Sequence, residues 1–316
     1  MAYLRAFGRY LPARVVDNAE IASLVGADPA WIQQVSGIVE RRFAAPEESV
    51  AALGLRAGKD CLEAAGVSGS EVGLILVSSG SGERRFPGPA TEIAAMLASA
   101  GIPAGVPAID LPIASAGSLF GLSLAANLCQ TYRNILVIGT EVMSRVIRLE
   151  PAGRDTAILF GDGAGACLVS AETGFARIVD SVIRSDGEFA DSLRLHWDGT
   201  IYMEGRTIIL HASRKLPRAI LEVLNRNQTK AGEIGAFVMH QANLNLITRV
   251  AQAVGVPESR FFSNVQRYGN TSSASLLIAA AEWWSEVGQT MEGPFVMAAF
   301  GAGLNWGALL AAPYTG

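Results

Sequence analysis

The chain reads as an α/β protein assembled from two like halves, residues 1–172 and 173–316, and three observations predict this. Segments with helical apolar spacing alternate with short apolar runs of strand length. Five landmarks recur in the same order in both halves, which points to a duplicated unit. Hydrophobic residues make up 50% of the 316 and charged residues 17%, below the usual quarter or so. Much surface must therefore be hidden, inside several layers or in a subunit interface.

In the first half, residues 50–66 (VAALGLRAGKDCLEAAG) carry helical spacing and lead to a strand in 72–80 (VGLILVSSG). TEIAAMLASAGIP then reads as a helix that ends in small residues and proline. Residues 106–111, apolar apart from Asp110, read as a buried strand, and from Ala116 the spacing turns helical through Leu119, Phe120, Leu122 and Leu124. ILVIGTEV and LFGDGAGACLVSA close the half with an apolar strand and a glycine turn. The second half repeats the plan: a helix at 215–225 (KLPRAILEVLN), a strand in 233–243 (EIGAFVMHQAN), the helix LITRVAQAVGVP, a Ser-rich helix start in RYGNTSSASLLIAAAEW, and the closing FVMAAFGAGLNWGALLAA. Residues 191–213 lack a counterpart in the first half. They are expected to cover a substrate channel, with Trp197 and Met203 as candidate walls.

Alternating strands and helices predict parallel-rich sheets, and such folds place sites beyond the carboxyl ends of their strands. Two like halves bring those ends together. Ser115 stands where the 106–111 run gives way to a helix, facing the free N–H groups of its first turn. As a lone residue it reads first as a helix cap. The equivalent strand-end positions of the second half are His240 and Asn270. A Ser, a His and an Asn converging there are a nucleophile, a base and a polarising donor. Taken singly, His240 also reads as a buried histidine and Asn270 as a turn residue.

Other classes are set aside on composition. A net charge of −4 with no basic stripe argues against nucleic acid. No apolar run approaches a membrane span and the first ten residues (MAYLRAFGRY) lack a signal peptide's apolar core, so a cytoplasmic protein is expected. Cys61, Cys129 and Cys167 have no paired spacing for a metal or a disulfide framework and read as buried small apolar residues. His196 and His211 match no motif, and Asp162, flanked by glycines, reads as a turn residue.

With those residues placed, the chain resembles the thiolase-like condensing enzymes, closest to the β-ketoacyl-ACP synthase III group. The resemblance is carried by residues 31–48 (WIQQVSGIVERRFAAPEE), DLPIASAG, 153–166 (GRDTAILFGDGAGA), 240–247 (HQANLNLI), 268–275 (YGNTSSAS) and 300–307 (FGAGLNWG). It implies a five-layered αβαβα fold, a homodimer, and an acyl group passing from coenzyme A onto the nucleophile before condensation with a malonyl thioester on acyl carrier protein. No resident cofactor is implied, acyl-CoA being a substrate. By position, Ser115 is the nucleophile, His240 and Asn270 its helpers, and the N–H groups of Ser115 and Gly303 the oxyanion hole. Trp31 and Arg154 match residues that hold the adenine of coenzyme A. Phe86 matches a residue that reaches across the dimer into the partner's acyl pocket; its other reading is ordinary core packing.

Two departures stand out. The family's nucleophile is Cys, and a serine hydroxyl needs a base where a thiol needs little help. A native serine enzyme, a Cys→Ser replacement made to hold substrate without turnover, and a member that has lost acylation are the open readings. At the mouth, two arginines of the family are Val35 and Asn245 here, where guanidinium would pair with phosphate. Arg41, Arg42, Arg206, Arg214, Lys215 and Arg249 are the candidates to compensate. The expected activity is thus acyl transfer from acyl-CoA with condensation or starter-unit loading. Its rivals are acyl transfer without carbon–carbon bond formation, and a non-catalytic subunit that binds a synthase or carrier protein.

Overall fold

The computed structural model describes residues 1–196, 199–290 and 292–314; Trp197 lies outside them. These residues build one ten-stranded sheet from β1 (Tyr3–Tyr10), β2 (Leu74–Ser78), β3 (Ala108–Leu111), β4 (Asn134–Glu141), β5 (Gly163–Ser170), β6 (Ala176–Ser185), β7 (Ala236–Met239), β8 (Phe261–Phe262), β9 (Phe295–Gly301) and β10 (Asn305–Pro313). The spatial order is β8-β7-β9-β10-β6-β1-β5-β4-β2-β3. Strand n on one side of the β1·β6 junction corresponds to strand n+5 on the other, and the senses of pairing agree. β1–β5 and β4–β5 are antiparallel like β6–β10 and β9–β10, while β2–β4 and β2–β3 are parallel like β7–β9 and β7–β8. The junction itself is two residue pairs, Tyr3 with Arg177 and Leu4 with Ala176.

Successive side chains of a strand face opposite sides, so a strand apolar at every position must be covered twice. Leu74 and Leu76 of β2 enter a central cluster, while Ile75 and Val77 enter an outer one. In β9, Phe295, Met297 and Ala299 face the centre while Val296, Ala298 and Phe300 face the opposite outer cluster. Helices supply the covers: α1 (Val50–Ala65) and α2 (Pro89–Met96) outside the first half, α3 (Gly117–Tyr132) and α6 (Ser275–Glu286) between the halves, α4 (Gly205–Arg226) and α5 (Leu244–Val254) outside the second. The result is five layers, αβαβα. Ser49 starts α1 by accepting the N–H of Ala52, and Asn243 starts α5 by accepting those of Asn245 and Leu246. Such caps stabilise by about 1 kcal/mol each.

Three expectations are corrected here. The 106–111 run forms only the four residues of β3, which is the outermost strand and leaves Ile109 45% exposed. An apolar run reports a strand; it does not report how many neighbours the strand will have. The helix expected at 215–225 begins ten residues earlier, at Gly205, because its first turns face a cavity and their apolar residues are not all turned to the core. Asp162 is more than a turn residue. It is fully buried and accepts the N–H groups of Ala44 and Ser144 and the Ser144 hydroxyl, so it ties together three loops, and burial raises its pKa.

Candidate active site

Ser115 lies between β3 and α3 with φ +61°, a left-handed conformation rare for a residue with a side chain and a feature of functional turns. It does not cap α3: that helix has no side-chain cap hydrogen bond. The elbow is held from two sides. A Cβ at Gly301 would come within 2.3 Å of the Ala114 carbonyl and 2.7 Å of Ser115 Cβ, so only glycine lets the end of β9 lie against the serine. The Ser115 N–H donates to Ser272 Oγ at 3.1 Å.

Asn270 occupies the matching place before α6. Its backbone pairs with the 159–161 segment, N–H to the Leu159 carbonyl (2.8 Å) and carbonyl to the Gly161 N–H (3.1 Å). Its Oδ1 accepts the Ser272 N–H at 2.9 Å, which leaves the Nδ2 amide to serve as a donor. Ser272 thus braces the serine with its hydroxyl and the carboxamide with its backbone. His240 follows β7, its N–H bonded to the Ala298 carbonyl at 2.8 Å. Its Nδ1 is hydrogen-bonded to Ser275 Oγ. Burial lowers the pKa of this ring to about 4, so it is neutral at neutral pH.

Ser115, His240 and Asn270 all line one cavity of about 1000 Å³, its mouth included. Apart from these polar groups its walls are largely apolar, with Phe160, Met203, Ile208, Ala212, Leu216 and Leu246 among them; Arg194 is the charged exception. That side chain is engaged, donating to the Asp191 carbonyl with its guanidinium 4.2 Å from the Tyr202 ring centroid. The cavity is thus shaped for an extended apolar or amphipathic ligand, with hydrogen-bonding groups gathered around the serine.

Met203 is in the wall as expected. Phe86 is not in this chain's cavity wall and is 85% exposed, which overturns core packing. Gly303 stands one residue past Gly301 and Ala302, which line the cavity. Its φ of +129° suits glycine, and a Cβ there would lie 2.3 Å from Asn305 Nδ2. Arg154 stacks over Trp31 at 5.3 Å, and Trp31 packs on the cluster that also holds Phe160 and Ile201 of the cavity wall.

At the departures, Asn245 donates to the carbonyls of Gln34 and Val35, closing the end of the short helix Pro29–Ser36 with neutral bonds. Of the candidate compensating cations, Arg41 is buried, donating to Asn18 Oδ1 and the Ile158 carbonyl at 2.9 Å each, and Lys215 pairs with Asp186 at 2.5 Å. Arg206, Arg214 and Arg249 are exposed.

The sequence did not single out Ser272, Ser275 or Glu141. The first two sit within GNTSSAS, where their spacing from Asn270 was the available signal. Glu141, at the end of β4, is fully buried. It accepts from the N–H groups of Gly80 and Ser81 and from the hydroxyls of Ser81 (2.5 Å) and Ser273 (2.7 Å). It thereby ties the loop after β2, whose Gly80 lines the cavity, to the turn that carries Asn270.

Two like α/β halves whose strand ends meet over a strained serine, an imidazole and a carboxamide define the thiolase-like class of proteins. The 3-oxoacyl-[acyl-carrier-protein] synthase III profile matches residues 109–187 and its C-terminal counterpart residues 224–312. The β-ketoacyl-[acyl-carrier-protein] synthase III of Oleidesulfovibrio alaskensis is 33% identical, over 98% of this chain and 98% of that one. The solved 3-oxoacyl-[acyl-carrier-protein] synthase III of Aquifex aeolicus superposes with a TM-score of 0.92 at 33% identity, covering 99% of this chain and 100% of that one. A priming β-ketosynthase of a polyketide biosynthetic pathway superposes at 0.88 with 32% identity, covering 99% and 96%. The chain belongs to the β-ketoacyl-ACP synthase III family.

Proposed function

We propose that the protein takes an acyl group from acyl-CoA onto Ser115 and condenses it with a malonyl thioester on acyl carrier protein, or loads it as a starter unit. The observation that carries this reading is the convergence of Ser115, His240 and Asn270 on one apolar cavity. In acylation, Ser115 Oγ bonds to the acyl carbon as the bond to the coenzyme A sulfur breaks. His240 accepts the serine proton and returns it to the departing thiolate. In condensation, loss of carbon dioxide from the malonyl thioester leaves an enolate whose oxygen the donors of His240 and Asn270 stabilise; its carbon bonds to the acyl carbon as the bond to Ser115 Oγ breaks, and the departing serine oxygen takes up a proton from water. The elbow N–H of Ser115 and the 301–303 loop are where the oxyanion of acyl transfer would sit, which requires the Ser115 N–H to leave Ser272.

Trp31 and Arg154 would hold the adenine of coenzyme A between them, and Met203 would line the acyl path. No resident cofactor takes part. The protein would act in the cytoplasm; no helix among the described residues is long and apolar enough to cross a membrane. Its halves, 1–172 and 173–316, would descend from one duplicated unit. It would work as a homodimer, with Phe86 reaching the partner's acyl pocket.

Intact-mass measurement after incubation with a panel of acyl-CoA thioesters, followed by addition of malonyl-ACP, tests the reading. An adduct at Ser115, carbon dioxide and a ketoacyl product are expected. An adduct without ketoacyl product would mean acyl transfer alone. Neither adduct nor product would mean a non-catalytic subunit.

A further inference from the structure

We propose that Ser275 is a positioning residue that holds His240 in the tautomer carrying its proton on Nε2. Ser275 is the first residue of α6 and is buried. Its Oγ touches two groups. It accepts the backbone N–H of Gln241 at 3.1 Å, and it is hydrogen-bonded to His240 Nδ1. A backbone N–H can only donate, so the first contact fixes Oγ as an acceptor there. Among the described residues no other acceptor is in hydrogen-bond reach of this hydroxyl, so its single proton goes to Nδ1. An imidazole nitrogen that accepts a hydrogen bond carries no proton, and the neutral ring then carries its proton on Nε2. The opposite tautomer would make Oγ accept twice and leave a buried O–H unpaired, which folded proteins avoid.

This rests on the reading of His240 as a group of the site, and it sets what the site is ready to do. With Asn270 Oδ1 spent on Ser272, both side chains offer N–H donors, the arrangement that steadies an enolate oxygen. A ring with Nε2–H has no lone pair for the Ser115 proton. Acylation must therefore wait for the minor tautomer.

The proton position is read directly by long-range 1H–15N correlation on protein labelled with 15N-histidine. The chain has three histidines, and His196→Gln and His211→Gln assign the spectrum. At neutral pH the protonated nitrogen of His240 is expected to be Nε2. Ser275→Ala should move the tautomer ratio at least tenfold, and Ser275→Thr, which keeps the hydroxyl, should restore it. Should Ser275→Ala not fold, Ser275→Cys, similar in size and a weaker donor, takes its place. A wild-type ring protonated on Nδ1, or an unchanged ratio in Ser275→Ala or its replacement, overturns the proposal. The spectrum needs no turnover, so absence of a Ser115 adduct would count against the proposed function and leave this result standing.

Discussion

A hydroxyl attacks a thioester only when something removes its proton, whereas a thiol is partly ionised near neutrality. That difference makes Ser115 the most informative residue to change. Ser115→Cys should raise the rate of acyl-enzyme formation from acyl-CoA at least tenfold, measured by intact mass against time, because the thiolate does not depend on the His240 tautomer. Ser115→Ala should give no adduct at that position.

His240 has a second consequence at this scale. Its pKa falls from an ordinary 6.5 to about 4 on folding, so between those values the unfolded chain binds the proton and the folded chain does not. Stability is therefore full above pH 6.5 and is lost as pH falls toward 4, by about 3 kcal/mol when the shift is converted at 1.36 kcal/mol per unit. Urea unfolding of wild type and His240→Gln across pH 4–7 checks this. The difference between the two curves should shrink toward acid, and a constant offset would contradict it.

At the scale of elements, the site depends on loops that are braced from below. Glu141 collects donors from the loop after β2 and from the turn before α6. Glu141→Gln would turn one acceptor into a donor facing other donors, at a cost of about 2–4 kcal/mol. A lowered urea midpoint, together with slower turnover because Gly80 and Asn270 lose a shared anchor, is the expected result. Helix α4 acts differently, with Ile208, Ala212 and Leu216 forming one wall of the cavity. Ala212→Phe would fill that space from the helix side. Long-chain acyl adducts should be lost while short ones persist.

At the scale of the molecule, β3 ends the sheet with a free edge, and such edges are ordinarily covered or blunted. Ile109 on that edge, Leu124 on α3 and Phe86 in the loop before α2 are all exposed. A second copy lying along this side would cover them, in keeping with the proposed homodimer. Ile109→Lys and Phe86→Asp should then halve the mass measured by light scattering. An unchanged mass in both would remove this side as the interface.

The amino-acid sequence by itself determined the alternation of elements, the twofold plan, and the arrival of Ser115, His240 and Asn270 at corresponding strand ends. These are local or ordered patterns: apolar periodicity, a glycine turn, a motif in its place. Only the tertiary structure decided who surrounds them. Glu141 and Ser273 are 132 positions apart, and Asn245 meets Val35 across 210. No spacing rule links such pairs, yet they brace the turn that carries Asn270 and close the end of the Pro29–Ser36 helix. Arg41 looks in sequence like the other arginines of the mouth and is buried, while β3 looks buried and is an edge. Burial and hydrogen-bond partners belong to the packing of distant segments, and a residue's own neighbours in the chain do not specify them.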